Sequence, residues 1–559
     1  SGAGGGVDVG DHLPNPDRPK LEQTHEGEYR DDHGESGPVP VTSSVYLYVF
    51  CAALNSCNLG YDIGVNTDAG MKLQNSMDLT DVELEIFMGS LNLFAMMGAL
   101  SSNFVSDRFG RRAAFIAAAI SFILGIIIQA TARSYGVLMF GRVFVGLGVG
   151  FGLAIDPIYI AEISPASHRG RLVTWSEIAL NVGIVLGFLS GAVFYNVPEA
   201  QAWRWMFGMG AILPTVMIFL AKCVMPESPR WLASKGREVE ARQVLEKVYP
   251  SHYNVDAILF EIKESIQREY AAEKAMGWDM VLFPTPAFRR MLIVGVGTAI
   301  AQQIVGIDAI QYFLVFIVDE AGIKSRGWQT VVLVGLGLLK LGCIFIAGSL
   351  FDKKGRRPLF FISLFGMTAA LLLLSIYFFA AGESAGAPAV AVIALALYLA
   401  FFSVGMGPGA WLIPSEVFSM TIRAKAMSVA TFLNRVAATL MASTFLSTAK
   451  AMSWAGFFLL LAFICVLVAA FLYHFLPETR GRSLEDMSIY FAELTGDRSV
   501  LDAESKLRAD ASVQASEGGG APPAEGGGGG GGGTEPSAGR ESNFTDVVND
   551  DDNVVGTMA

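Results

Sequence analysis

Long apolar stretches alternate with short polar connections along most of the chain. A membrane-spanning helix needs about 20 mostly apolar residues, and twelve stretches reach that length. They cover residues 45–66, 84–105, 113–132, 137–161, 172–195, 204–225, 289–318, 328–351, 358–381, 388–418, 424–449 and 454–476. The fourth, seventh and tenth are long and contain Gly or Pro, so we expect interruptions there. The pattern predicts an all-α polytopic membrane protein with twelve transmembrane helices.

Polar segments divide the chain into five parts. Residues 226–288 are polar and helix-like, and they separate six predicted spans from six. Both ends of the chain are acidic and poor in apolar residues, and such segments cannot bury enough surface to fold. The predicted organisation is a disordered acidic tail (1–43), a six-helix bundle (44–225), a helical linker (226–288), a second six-helix bundle (289–487) and a disordered Gly-rich acidic tail (488–559).

The overall composition supports a membrane protein and argues against two other classes. Hydrophobic residues make up 52% of the chain and charged residues 16%, whereas a soluble domain averages about 25% charged residues. The net charge of −12 argues against a nucleic-acid partner, because domains that bind nucleic acids are usually basic. Neither the five cysteines nor the six histidines have the spacing of a metal site or a catalytic motif. We therefore expect no enzyme activity, no cofactor and no metal.

Basic residues are distributed unevenly between the loops on the two sides of the predicted bundle. The loops after helices 2, 4, 8 and 10 hold eleven: Arg108, Arg111, Arg112, Arg169, Arg171, Lys353, Lys354, Arg356, Arg357, Arg423 and Lys425. The opposite loops hold six: Lys72, Arg133, Arg204, Lys324, Arg326 and Lys450. The positive-inside rule then places both termini and the linker in the cytoplasm.

An internal repeat supports the division into two halves. DRFGRR at 107–112 follows the second predicted helix, and DKKGRR at 352–357 follows the eighth. A Glu–Arg pair with a seven-residue separation also recurs after the fourth and tenth helices, as Glu162 with Arg169 and Glu416 with Arg423. Two parallel six-helix halves around a site at the membrane midplane are typical of major-facilitator transporters.

Charged side chains inside membrane spans are costly, so each one is a candidate functional residue. The predicted spans contain Asp62, Arg142, Asp156, Glu177, Asp308, Lys340 and Arg435. Asp62, in LGYDIGV, is the candidate proton site, because burial and a nearby cation shift the proton affinity of a carboxyl group in opposite directions. Arg142 is its natural partner, and a static ion pair is the alternative. Asp156 and Arg435 are either functional or solvated near an interface.

The glycine-rich sequence GLGVGFG at 146–152 superficially resembles a phosphate-binding loop. It lacks the preceding strand and the GKS that such a loop needs. Its two overlapping GxxxG spacings predict close helix packing instead.

The seventh predicted span is rich in hydrogen-bonding side chains. Its segment AQQIVGIDAIQYF (301–313) contains Gln302, Gln303, Asp308, Gln311 and Tyr312. Gly306 permits a break in the helix, Trp411 on helix 10 offers an aromatic face, and Asn434 on helix 11 offers an amide. A polyhydroxylated ligand needs many donors and acceptors and an aromatic face. The predicted ligand site therefore lies between helices 7, 10 and 11.

Several motifs resemble those of the sugar porter family of major-facilitator transporters, over about residues 45 to 487. They are GYDIGV, DRFGRR, PIYIAEISPASHRG, PESPRWL, QQIVGID, DKKGRR, GPGAWLIPSEVF and PETRGRSLED. WSEIALNVGIVLG, GIDA, Lys340 and LNRV are similar to the plant-type polyol and monosaccharide proton symporters. Glu177 and Asp308 are carboxylates here, as in the polyol branch. We hypothesise that these extra acceptor oxygens suit the flexible hydroxyl chain of a sugar alcohol.

The resemblance implies roles for individual residues. Asp62 would bind the proton and pair with Arg142. Substrate contacts would come from Glu177, Gln302, Gln303, Asp308, Trp411 and Asn434. A cytoplasmic charge network would hold the outward-facing state closed on the inside, and it would comprise Asp107, Arg111, Arg112, Glu162, Arg169, Glu227, Arg230, Asp352, Arg356, Arg357, Glu416 and Arg423.

The sequence thus predicts a proton-coupled symporter of sugars or sugar alcohols that works by alternating access. An uncoupled facilitative carrier is the first alternative, and a transport-dead sugar sensor is the second. The expected partners are a small sugar or polyol, protons and the lipid bilayer, with the chain acting as a monomer. The family default is the plasma membrane, with the vacuolar membrane or plastid envelope as alternatives.

Overall fold

The computed structural model describes residues 41–165, 168–250, 253–275, 278–381, 387–419 and 421–506. It also describes two short antiparallel strands near the N-terminus, β1 (Tyr29–Arg30) and β2 (Ser36–Gly37). The predicted disordered tail 1–43 otherwise lies almost wholly outside the described residues, and so do residues 507–559 of the predicted C-terminal tail.

The first half of the chain is helical. Its helices are α1 (Ser43–Met77), α2 (Asp81–Phe109), α3 (Arg111–Ala130), α4 (Tyr135–Ile163), α5 (Arg169–Val193), α6 (Glu199–Met209) and α7 (Ile212–Cys223). The linker that follows contains α8 (Pro229–Ser234), α9 (Glu238–Val248), α10 (Val255–Ala275) and α11 (Asp279–Leu282). The described part of residues 226–288 is therefore helical, as its sequence predicts.

The second half repeats the helical plan. Its helices are α12 (Pro286–Ile304), α13 (Ile307–Tyr312), α14 (Leu314–Glu320), α15 (Arg326–Lys354), α16 (Arg356–Ala381), α17 (Pro388–Val404), α18 (Met406–Val417), α19 (Arg423–Ser443), α20 (Phe445–Phe475) and α21 (Leu484–Thr495). Together the two halves confirm the predicted all-α class in the described part of the bundle.

Ten helical segments of the described chain are long and apolar enough to cross a membrane. The first and eleventh predicted spans, α1 and α19, fall outside this set. Both carry the polar residues predicted for the site, among them Asp62 on α1 and Asn434 on α19, and those residues lower the hydropathy of each helix. A span that lines the interior of a bundle is less apolar than one that faces lipid.

The interruptions of the helices agree only in part with the sequence. The seventh span breaks at Gly306, whose φ of 95° is favourable for glycine, and the tenth breaks at Gly405. The fourth runs unbroken through Pro157, because neighbouring helices accommodate a proline in a membrane bundle. The sixth breaks unexpectedly between α6 and α7. There the hydroxyl of Tyr61 donates to the Met206 carbonyl (2.7 Å), which a continuous helix would use for its own hydrogen bond.

The C-terminal tail begins later than residue 488. Helix α21 starts with a capping box of Ser483 and Asp486, and residues 499–506 are also helical. Asp497 accepts hydrogen bonds from the backbone N–H groups of Ser499 and Ala287, which lower the pKa of its carboxyl group to about 2. The predicted start of disorder at 488 is therefore wrong, because capping and packing hold this segment against the second half.

Helix α4 packs very closely against its neighbours through the glycines of GLGVGFG. A Cβ at Gly150 would lie 1.9 Å from the Ala95 carbonyl oxygen of α2, and one at Gly148 would lie 2.8 Å from the Ala118 carbonyl oxygen of α3. These distances are far shorter than any van der Waals contact. The predicted packing role of the motif is confirmed.

We expect Gly150→Ala to destabilise the protein strongly, because the obstacle is the backbone of α2 rather than a movable side chain. Overpacking of this kind costs about 1–3 kcal/mol or more, which should appear as a lower melting temperature of the purified protein in detergent. Gly136→Ala, on the same helix but with open space around it, is the matched control. Equal melting temperatures for the two variants would contradict the prediction.

The two halves contact each other at the end of the bundle away from the DRFGRR and DKKGRR loops. We call the end with those loops the basic end, and the other the opposite end. Glu85 on α2 is 1% exposed, and its carboxylate accepts hydrogen bonds from the backbone nitrogen (2.7 Å) and the hydroxyl of Ser447. Ser447 lies in the first turn of α20, where free N–H groups favour an anion. Glu85 therefore ties the first half to the second.

Other contacts between the halves lie at the same end or near the middle of the bundle. They join Asp81 to Lys450 (2.5 Å), Glu199 to Arg326, Thr67 to the Gln311 carbonyl (2.9 Å), and Asn92 to Arg435 (3.0 Å). The helix pairs involved include α2 with α19 and α20, and α5 with α15. Together these contacts close the opposite end of the bundle.

Candidate functional site

Asp62 and Arg142 form a buried ion pair inside the first half. Asp62 on α1 is 5% exposed and Arg142 on α4 is fully buried, and Nη1 of Arg142 lies 3.1 Å from both carboxylate oxygens. Arg142 also donates to the Phe87 carbonyl (3.2 Å) and lies over the Phe87 ring at 4.5 Å. The structure thus brings together the two residues predicted as the proton pair.

Asn434 and Gln302 form a hydrogen-bonded pair between α19 and α12. The Asn434 amide nitrogen donates to Oε1 of Gln302 (3.0 Å) and to the Ala299 carbonyl (2.7 Å). Its oxygen accepts from Nε and Nη2 of Arg435, at 3.0 and 2.7 Å. An amide makes about four hydrogen bonds, so Asn434 is fully satisfied within the protein. In this conformation it positions Gln302 and Arg435 instead of contacting a ligand.

Gln303, Asp308 and Arg435 form a second polar group next to this pair. When the Gln303 amide is assigned with its nitrogen toward Asp308, it donates to Oδ2 of Asp308 (3.1 Å) and accepts from Arg435 (3.3 Å). Asp308 is half-buried. Gln302 donates in turn to the Gly407 carbonyl (2.9 Å), at the break between α17 and α18. Helices 7, 10 and 11 therefore meet at one place, as the sequence predicts, although the contact on helix 10 comes from the Gly407 backbone.

Lys340 on α15 connects this group to the first half. It is 6% exposed and donates to Oε1 of Gln311 (3.1 Å). The carboxylates of Asp308 and Glu177 both act on it electrostatically, although Glu177 belongs to α5 of the first half. The Glu177 side chain is exposed, and Lys340 and Arg435 act on its carboxylate electrostatically.

Tyr312 and Trp411 are the two aromatic residues predicted at the site. Tyr312 is buried, and its hydroxyl lies within electrostatic range of both Asp308 and Asp62. It therefore stands between the proton pair and the polar group of the second half. Trp411 on α18 is half-buried, which leaves part of its indole ring accessible.

Charges at the centre of the bundle are balanced. Asp62 is paired with Arg142, while Asp308 and Glu177 are accompanied by Lys340 and Arg435. A ligand with a net charge would disturb this balance at a high electrostatic cost. The arrangement therefore favours a neutral ligand that is rich in hydrogen-bonding groups.

At the basic end, the DRFGRR loop of the first half is held by two glutamates. The guanidinium of Arg111 makes a bidentate pair with Glu162 (2.8 and 2.9 Å) and contacts Asp107 (3.0 Å). Glu227 accepts from the backbone N–H groups of Arg111 (2.8 Å) and Arg112 (3.2 Å). Burial raises the pKa of Glu227, although these hydrogen bonds oppose the rise. Gly110 turns the chain here with φ 98°.

The DKKGRR loop of the second half has the same design. Arg356 pairs with Glu416 (2.8 Å), and Glu478 accepts from the backbone N–H groups of Arg356 (3.0 Å) and Arg357 (3.1 Å). Gly355 provides the turn with φ 88°. The internal repeat of the sequence therefore folds into the same structure in both halves. Each copy is a glycine turn held by two glutamates, and we call it a joint.

Not all residues predicted for the charge network join these two clusters. Arg169 is exposed and acts electrostatically on Tyr249 of the linker. Arg423 interacts electrostatically with Glu485. Arg230 lies in α8 beside Trp231, whose indole nitrogen donates to the Asp107 carbonyl (3.0 Å). The side chain of Asp352 lies outside the described residues. In this conformation, each of the two clusters lies within one half.

Sequence reasoning missed several residues of the site. Glu478 could have been found, because PES at 226–228 and PET at 477–479 stand at equivalent places in the two halves. Asn92 and the role of Arg435 depend on a contact between distant helices, in which Arg435 donates to the Asn92 side chain. Asp156 is not solvated near an interface, since it is 1% exposed and bound by Asn55 and Ser56.

Comparisons with known proteins agree with this geometry. The family model described as "Sugar (and other) transporter" matches residues 48–491. "Probable polyol transporter 4" of Arabidopsis thaliana is 39% identical over 80% of this chain and 85% of its own length. "Glucose transporter GlcP" of Staphylococcus epidermidis is 33% identical over 81% and 98%.

Two solved structures of the E. coli xylose transporter XylE are also similar. The inward open conformation has a TM-score of 0.69 and 25% identity, and it covers 80% of this chain and 99% of its own. The proton:xylose symporter bound to 6-bromo-6-deoxy-D-glucose has a TM-score of 0.67 and 26% identity, with the same coverage.

Proposed function

The chain belongs to the sugar transporter family of the major facilitator superfamily, and from that premise we propose that it is a proton-coupled symporter of a sugar or sugar alcohol. The observation that carries the proposal is the buried Asp62–Arg142 pair. An isolated ion pair at this depth is costly, and a proton on Asp62 would release Arg142. Loading and unloading that proton can therefore bias the two halves between two conformations.

The substrate class follows from the chemistry of the central space. Carboxylates, amides and cations of both halves interact there, and their charges balance. Helix α18 adds the half-buried indole of Trp411. A neutral polyhydroxylated molecule fits these groups, because its hydroxyls both donate and accept. Among the relatives described as polyol transporters, the first is 39% identical. Glu177 and Asp308 supply the additional acceptor oxygens that we assign to sugar alcohols.

Transport would proceed by alternating access in a multi-pass membrane protein. The contacts of Glu85, Asp81 and Thr67 close the opposite end, so this conformation is inward-facing if the basic end lies in the cytoplasm. The excess of basic residues at that end supports the orientation, and the inward open structure of XylE is a similar one. The charge clusters at Arg111 and Arg356 would meet across the halves only after the basic end closes.

Both termini would then lie in the cytoplasm, and the plasma membrane is the host membrane that we propose. The bundle of one chain contains the whole proton pair and ligand site, which supports function as a monomer.

Uptake into proteoliposomes with an imposed inward proton gradient tests the proposed function. We would compare mannitol, sorbitol, myo-inositol, xylose and glucose, each with and without the gradient. We expect uphill accumulation of at least one of them, abolished by a protonophore. Equilibration that ignores the gradient would show an uncoupled carrier. Binding without any flux would favour a sensor.

A further inference from the structure

A second buried carboxylate, Asp156 on α4, lies between the first and fourth helices. It is 1% exposed, and its two oxygens accept hydrogen bonds from Asn55 (3.0 Å) and Ser56 (2.5 Å) of α1. In the described α1, α2, α3 and α5, which surround α4, these two are the polar groups that reach Asp156, and no charged group pairs with it. It differs in this respect from Asp62, which has Arg142.

The lack of a cation matters because of where Asp156 lies. Burying a lone negative charge in an apolar interior costs far more free energy than burying the neutral carboxyl group. The carboxylates of the proton pair and of the ligand site, Asp62, Asp308 and Glu177, are each accompanied by Arg or Lys. Asp156 is thus a place where a proton can be held without a competing cation.

A polar stripe on α1 leads from Asp156 to Asp62. Asn55, Asn58 and Asp62 follow one another at spacings of three and four residues, which places them on one side of the helix. Asn58 is 2% exposed, and neither atom of its amide has a hydrogen-bond partner among the described residues. Buried amides without protein partners are normally satisfied by water. Asn58 therefore marks a site where water would bridge the two carboxyl groups.

The stripe also has a direction. Helix α1 begins at the basic end, so Ser56 lies closer to that end than Asp62 by six residues, or about 9 Å of helix rise. Helix α4 runs the other way, and Asp156 near its C-terminus lies closer to the basic end than Arg142. Asp156 thus stands on the route from the proton pair toward the basic end.

We propose that Asp156 is a second proton-binding site, which receives the proton that Asp62 releases and passes it toward the basic end. The inference rests on the proposed function of proton symport. The proton leaves a carboxyl oxygen of Asp62, moves through water at Asn58 and binds a carboxylate oxygen of Asp156. Asp62 is then the carboxylate that Arg142 pairs with, as in this structure, and Asp156 becomes neutral until water at the basic end takes the proton.

Asp156→Asn tests the relay, because the amide keeps the shape and hydrogen-bonding capacity of the side chain but cannot carry a proton. We expect the initial rate of proton-driven uptake to fall by about ten-fold or more, while the final accumulation reaches the wild-type level. Counterflow exchange at equal pH should keep its wild-type rate, since Asp62 need not lose its proton there.

Ser56→Ala is the matched control, because it removes a hydrogen bond to Asp156 without removing the carboxyl group. If Asp156 serves only to hold α1 and α4 together, both variants should be slow in uptake and in counterflow. That result would overturn the proposal. Normal proton-driven uptake by Asp156→Asn would overturn it as well. If wild-type protein shows no coupling, symport itself fails and the relay with it. If the wild-type protein couples uptake to protons and Asp156→Asn is unaffected, only the relay is overturned and symport stands.

Discussion

Asp62→Asn should abolish uphill accumulation while leaving exchange of substrate across the membrane intact. The amide cannot carry the coupled proton, so the membrane potential no longer drives uptake. For one proton at 100 mV, that drive is about 2.3 kcal/mol, or about fifty-fold accumulation. We expect the variant to equilibrate substrate at equal concentrations inside and outside, as measured by radiolabelled uptake with an imposed gradient.

Counterflow at equal pH distinguishes this outcome from misfolding. Arg142 loses its carboxylate in the variant but keeps the Phe87 carbonyl and ring as partners, which supports a folded protein. Glu320→Gln, an exposed carboxylate at the end of α14, should behave as wild type in both assays. Gradient-driven accumulation by Asp62→Asn would refute the assignment of Asp62 as the proton site.

Lys340→Met should have the second large effect, since it removes a buried cation from beside two carboxylates. Lys340 donates to Gln311 and is the buried cation that acts on Asp308 and Glu177, so without it both carboxylates would keep less electrostatic compensation. We expect a lower melting temperature and a loss of transport of about a hundred-fold or more. Thermal unfolding in detergent and initial uptake rates measure the two effects.

The double variant Lys340→Met with Asp308→Asn separates charge balance from substrate contact. Because it removes both charges, it should recover much of the lost melting temperature but little of the transport. Lys324→Met is the matched control, since this lysine is 68% exposed in its side chain and exposed ion pairs contribute little. Additive losses in the double variant would show that Lys340 and Asp308 do not interact.

The helices could be predicted from sequence because the length of an apolar stretch depends only on neighbouring residues. The break at Gly306 could be expected for the same reason. The break between α6 and α7 also had local signals, in Gly208, Gly210 and Pro214. The hydrogen bond from the Tyr61 hydroxyl of another helix to the Met206 carbonyl could not be predicted. Pro157 shows the reverse case, where packing preserves a helix that local chemistry would interrupt.

Residues of the site could be predicted where a charged side chain, which is costly to bury, interrupts an apolar stretch. Asp62 and Arg142 stood out because charges in apolar stretches are rare, and the structure brings them together. Asn434 was expected at the ligand, but its amide is saturated by Gln302, Ala299 and Arg435. A sequence shows which side chains can form hydrogen bonds, whereas their partners are set by the packing of distant helices.

The joints at Gly110 and Gly355 have a consequence for how the chain is made. Each joint is completed by a glutamate that follows the last membrane-spanning helix of its own half, Glu227 after α7 and Glu478 after α20. During synthesis on the ribosome, the first joint therefore becomes available as soon as residue 227 has emerged, before any helix of the second half exists. The membrane-insertion machinery thus receives one finished six-helix module and then another, and an arrested chain that ends in the linker already contains all the residues of a closed first joint.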